Sequence, residues 1–176
     1  MQYFNNNHIF SVINQCDLKS AFTRVIDYYD PNKKYNKKTK VLDCSFTYSR
    51  TNNQYKLYNI EKTRNLNGNV KNSKFEIIIY EPPKNKNFEN DTKYVTSIFK
   101  NIISKNGIII VKSNDFKEKG NPKLHGSFNI WKIFDKYNFY LYDNIVYTYN
   151  KYHSDIILHN RCEIIHSYFM IFKTEK

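Results

Sequence analysis

Glycine and proline are scarce in this chain, four of each among 176 residues, and alanine is nearly absent. Heavy use of Lys, Asn, Tyr and Ile accompanies that scarcity. The combination reads as the mark of an AT-rich coding genome and says nothing of function. It also inflates the lysine count, so the net charge of +12 is discounted accordingly. Cysteine is limited to Cys16, Cys44 and Cys162, an odd number at wide spacing with no CxxC pair. That excludes a disulfide framework and points to a reducing, cytoplasmic compartment and not to a secreted protein. His153, Asp155, His159 and Cys162 fit no ligand spacing, so no metal is expected. No apolar run approaches the ~20 residues of a membrane span. Met1 to Phe10 has no basic stretch followed by an apolar one, so no signal peptide is read there.

What is present is a folding chain. Hydrophobic residues make up 40% and aromatics 17%, too many for a disordered polypeptide. The length suits one domain with its own core, residues 1–176, with 1–17 as an N-terminal extension and the core at about 18–175. The basic balance fits either a polyanionic partner, DNA or RNA, or a solubilising lysine surface.

Apolar residues from Val12 to Ile26 fall at helical spacing, which predicts a helix over Leu18–Tyr29, stopped by Asp30-Pro31. Val41–Phe46 and Tyr55–Ile60 are short strands, the second closed by Glu61. Phe75–Tyr80 is an apolar β-branched strand that delivers Glu81 into the rigid pair Pro82-Pro83. A helix capped by Asp91 or Thr92 runs to Ser104 and ends at Asn106-Gly107. Ile108–Val111 is a central strand, Ser127–Tyr137 a helix, and Phe139–Tyr149 and Ile164–Phe172 the closing strands. Single helices between strands imply parallel βαβ units. The last two strands, with only a loop between them, are expected to be antiparallel neighbours.

Five stretches in this order carry a resemblance: Val41-Leu42-Asp43, Gly68-Asn69, Glu81-Pro82-Pro83, Lys105 to Val111, and His166 to Lys173. The chain resembles the class I, Rossmann-like S-adenosylmethionine-dependent methyltransferases, and within them the nucleic-acid amino-methyltransferases with a DPPY-type motif. The resemblance implies an α/β fold: a mostly parallel sheet with a reversed last strand and helices on both faces. It implies S-adenosylmethionine as cofactor, held by Asp43, Cys44 and Ser45 at its methionine end, Glu61 at the ribose and Asn69 at the adenine. It places Glu81, Pro82, Pro83 and Lys84 at the catalytic turn. There the acidic side chain and the Pro82 carbonyl would accept hydrogen bonds from an exocyclic amine of DNA or RNA.

The sequence departs from that family at three points. The turn after Asp43 has no glycine, Glu81 is one methylene longer than the usual Asp or Asn, and Lys84 replaces the aromatic that stacks on a flipped base. Phe88 is the nearest aromatic substitute. Two functions therefore stand open: methyl transfer to a nucleic-acid amine, or a catalytically silent domain that binds nucleic acid or regulates a protein partner. No target-recognition domain is evident, so either version is expected to need a partner or to read little sequence.

Among other candidates, His125 and His166 are read as backbone-bonding residues at element ends. Trp131 is assigned to the core. Cys44 lacks an adjacent base for nucleophilic work. Tyr147, Tyr149 and Tyr152 with Lys151 would make an aromatic, basic surface for nucleic acid.

Overall fold

β-Branched residues crowd Phe75–Tyr80 (β4) and Ile103–Ser113 (β5), and Ile77, Ile78, Ile79, Ile108, Ile109, Ile110 and Val111 are all buried. Such runs suit strands covered on both faces. The computed structural model describes residues 12–14, 18–29, 39–45, 56–59, 73–83, 87–114, 116–117, 124–148 and 166–174. Around β4 and β5 lies a sheet of seven strands. From one edge it runs Val12–Asn14 (β1), Phe139–Thr148 (β8), His166–Thr174 (β9), β5, β4, Lys40–Cys44 (β2) and Lys56–Asn59 (β3). The pairings β1–β8, β2–β3, β2–β4 and β4–β5 are parallel, whereas β9 runs against both β5 and β8. The predicted architecture, mostly parallel with the last strand reversed, is the observed one. Phe116–Lys117 (β6) and Leu124–His125 (β7) form a separate antiparallel pair beyond β5.

Alternation along the strands sends side chains to two cores. Ile77, Ile79, Ile108 and Ile110 pack with Ala21, Phe22, Val25 and Ile26 of the helix Leu18–Tyr29 (α1). Ile78, Tyr80, Ile109 and Val111 pack with Val95 and Phe99 of the helix Phe88–Ile102 (α2) and with Ile130 and Phe134 of the helix Ser127–Lys136 (α3). Helices thus cover both faces. Phe134 stacks on Phe172 with ring centroids 4.2 Å apart, fixing α3 over β9.

Several boundaries differ from expectation, each for a physical reason. The α2 helix begins at Phe88, ahead of Asp91 and Thr92, because the Asp91 amide already donates to the Asn87 carbonyl at 2.8 Å. Glu89 and Asp91 occupy its first turn, where negative charge is favoured by the helix dipole. The helix stops at Ile102, and Asn106-Gly107 lies inside β5. Phe75 pairs with Ile103 and Ile77 with Ile108, so the chain bulges through Gly107. The first predicted strand closes at Cys44, short of Phe46, because Ser45 turns back onto Asp43. The last strand runs to Thr174. Residues 12–14, assigned to the extension, add the edge strand beside Val146–Thr148.

Candidate functional site

Two adjacent parallel strands whose connections leave in opposite directions open a crevice at their carboxyl ends, the usual ligand position in such sheets. Here those strands are β2 and β4: β2 leads out to β3 on one side, and β4 leads to β5 on the other. Cys44 is registered with Tyr80, and Tyr80 with Val111. Ser45, Glu81 and Lys112 therefore emerge side by side. Asp43, Glu81 and Lys112 share the strand parity of Val41, Ile79 and Ile110, so all three point to the α1 side of the sheet.

These three ionisable groups are withdrawn from water. Lys112 Nζ lies 2.7 Å from Glu81 Oε1, a charge-assisted pair with both side chains about one-tenth exposed or less. Asp43 is fully buried. Its Oδ1 accepts from the Ser45 amide at 2.8 Å and from the Ser45 hydroxyl at 2.7 Å. Its Oδ2 is buried with no hydrogen-bond partner among the described residues. Burial pushes the Asp43 carboxyl above its ordinary 3.8; the Ser45 bonds oppose that shift, and the neighbouring Glu81 charge adds to it.

The chain leaves Asp43 through Ser45, the last residue described before β3. Both Ser45 donors fold onto one carboxylate oxygen, an Asx-type turn that substitutes side-chain bonding for backbone freedom. Cys44 faces the opposite core, and its thiol is pushed up by burial and then by Asp43, so it stays protonated.

Of the residues singled out in the sequence, Asp43, Ser45, Glu81, Pro82 and Pro83 come together at this crevice, whereas the side chain of Cys44 turns into the opposite core. Glu61, Asn69 and Lys84 lie outside the described residues, as do His153, Asp155, His159, Cys162, Tyr149, Lys151 and Tyr152. Three assignments are corrected. Phe88 is buried in the α2-side core and is unavailable to stack on a base. Tyr147 is buried against Phe169, with ring centroids 5.6 Å apart, and contributes to no surface. Trp131 is exposed, because Ile130, Ile133 and Phe134 form the buried stripe of α3 and Trp131 falls one position round the helix. Lys112 was not foreseen. Its signal was a lone lysine closing the apolar run Ile108–Val111, one residue past the register of Tyr80.

No protein-family model and no curated protein matches the sequence. Among solved structures, the chain is similar to an S-adenosylmethionine-dependent methyltransferase from Clostridium acetobutylicum ATCC 824. The identity is 11%, with 92% of this chain and 94% of that chain covered and a TM-score of 0.53. It is also similar to the magnesium protoporphyrin IX methyltransferase from Synechocystis PCC 6803 with bound SAH, at 7% identity, 92% and 89% coverage and a TM-score of 0.53. The chain has the Rossmann-like methyltransferase fold. Among the described residues, no helix is long and apolar enough to cross a membrane.

Proposed function

We propose that the chain binds S-adenosylmethionine in the crevice between β2 and β4 and methylates an exocyclic amine of DNA or RNA. The observation that carries this reading is Asp43 Oδ2, a buried acceptor left without a partner among the described residues, beside a second acid at the switch point of a methyltransferase fold. A buried carboxylate oxygen without a donor is costly, and an ammonium group satisfies it. The donor set fits the cofactor's charge as well. Asp43 and Glu81 against Lys112 leave one negative charge when all are ionised, and the cofactor, whose α-ammonium and α-carboxylate cancel, brings one net positive charge on its sulfonium. Asp43 and Ser45 hold that end; bound S-adenosylmethionine supplies an electrophilic methyl group.

The chain's own residues then orient the acceptor. Glu81 and the Pro82 carbonyl accept hydrogen bonds from the amine. Pro82 and Pro83 fix the backbone that aims them. Lys112 anchors Glu81 Oε1, so the carboxylate is set in one position before substrate arrives, which offsets the looseness of its extra methylene.

Calorimetric titration of S-adenosylmethionine into the protein tests the binding half. Heat with a one-to-one stoichiometry is expected, and none at millimolar ligand would sink the proposal. For the chemical half, Glu81→Gln is preferable to alanine because the amide oxygen still accepts from buried Lys112. It is expected to lower transfer of labelled methyl to oligonucleotide by about a hundredfold while cofactor affinity holds. Loss of both together would show that Glu81 has another role.

A further inference from the structure

Five large hydrophobic side chains stand exposed among the described residues: Tyr28, Tyr94, Phe128, Trp131 and Tyr142. Three are tyrosines, whose hydroxyls favour water. Phe128 has no polar atom and is the most exposed of the five at 61%, and Trp131 follows it round the same helix at 37%. Their rings lie 5.7 Å apart and tilted by 34°. The Lys132 ammonium sits 4.3 Å over the Phe128 ring, a cation–π contact that holds a positive charge on an aromatic surface. The exposed stripe of α3 consists of Phe128, Trp131, Lys132, Asp135 and Lys136, two ring systems with two lysines against one acid. An apolar patch kept in water marks an interaction site.

The stripe begins at the carboxyl end of the sheet, on the α2 face, across the sheet from the α1 side to which Asp43, Glu81 and Lys112 point. The α3 helix runs back from the carboxyl ends of the strands, so Phe128 lies in the turn nearest that end. Asn129 Nδ2 donates to Glu89 Oε1 at 3.4 Å, and Glu89 lies in the first turn of α2, the helix that follows the Glu81–Pro83 segment in the chain. The start of α3 is set by Gly126, which is buried at φ 150, a conformation other residues rarely adopt, and whose carbonyl accepts from Ile130 at 3.1 Å. Phe128 is thus presented by a fixed helix start.

We infer that Phe128 and Trp131, with Lys132, form a stacking platform for a single-stranded polynucleotide. Every nucleobase offers a π-face to such rings without regard to sequence, and the lysines meet the phosphates. The stripe's own charge, Lys132 and Lys136 against Asp135, suits an anionic strand. The inference deepens the proposed function by naming a surface that holds the substrate strand at the same end of the sheet as the catalytic turn, and in that sense it rests on that reading.

Trp131 is the only tryptophan in the chain, so its emission reports this face directly. Titrating the full chain with oligodeoxythymidylate, without S-adenosylmethionine, is expected to quench that emission saturably, with an affinity that falls as salt rises. Phe128→Ala should weaken binding roughly tenfold. Phe128→Tyr should restore it. Unchanged emission overturns the inference, and so does quenching that Phe128→Ala leaves unaltered. A spectral shift that follows protein concentration in place of oligonucleotide assigns the face to self-association and overturns it too. Because no cofactor is present, failure here leaves the calorimetric result on S-adenosylmethionine standing.

Discussion

Asp43 is a carboxyl group whose burial opposes its ionisation, and that sets a pH response. The folded state keeps the proton over a range in which the unfolded chain has lost it, so the unfolded state binds fewer protons there. Stability therefore falls as pH rises from about 4 and levels off once the folded group has ionised. Asp43→Asn keeps an oxygen for the two Ser45 donors and removes the titration. The variant should lose less stability than the parent over that rise, read as the difference between their urea midpoints at each pH. Parallel curves would refute the burial argument. Lys112 and Glu81 pose a different problem. Deleting either partner strands the other charge in a dry site, at a cost of about 3–5 kcal/mol. Asp43 and Glu81 were legible in the sequence because each closes an apolar run. Lys112 closes an apolar run too, but its pairing with Glu81 exists only in the register between two strands.

At the scale of elements, Gly107 decides how β5 meets β4. A Cβ there would lie 2.9 Å from the Glu76 carbonyl and 2.7 Å from Ile103 Cδ1. The isoleucine tip can swing aside, but the carbonyl belongs to the backbone of β4. Gly107→Ala should accordingly destabilise the fold by ~1–3 kcal/mol, seen as a lower denaturant midpoint at unchanged slope. A wild-type midpoint would mean that the bulge relaxes freely. The same glycine shows why element boundaries were harder to read than elements. Asn-Gly signals a helix end or a turn locally, yet here it serves a close approach between strands. The α1 helix was readable end to end, since Phe22, Val25 and Ile26 keep helical period and Pro31 follows. Trp131 was misassigned because hydrophobicity alone does not say which side of a helix faces the sheet; the Ile130, Ile133 and Phe134 stripe does.

For the whole molecule, the reversed strand was legible from the lack of a helical sequence pattern between the closing strands, and the parallel part from the alternation of strands and helices. The edge strand β1 was not, for three residues carry no periodicity, and only the exposed ladder of β8 gives them a place. That placement has a consequence for solution behaviour. Ile13 is registered with Tyr147, and Ile13→Pro removes a donor and breaks the pairing. The uncovered β8 edge should then promote association, detected as scattering that grows with protein concentration. A variant that stays monodisperse would show that β8 needs no cover. The position of β9 also matters for the order in which the protein is made. It is the latest of the strands in the chain, yet it lies between β5 and β8, with Phe169, Met170, Ile171 and Phe172 buried. A nascent chain that has emerged only as far as β8 holds two separate partial sheets, each with a bare edge facing the other. Until β9 emerges from the ribosome, those edges are open to the wrong partner, so the elongating chain is at its most vulnerable just before it is able to fold.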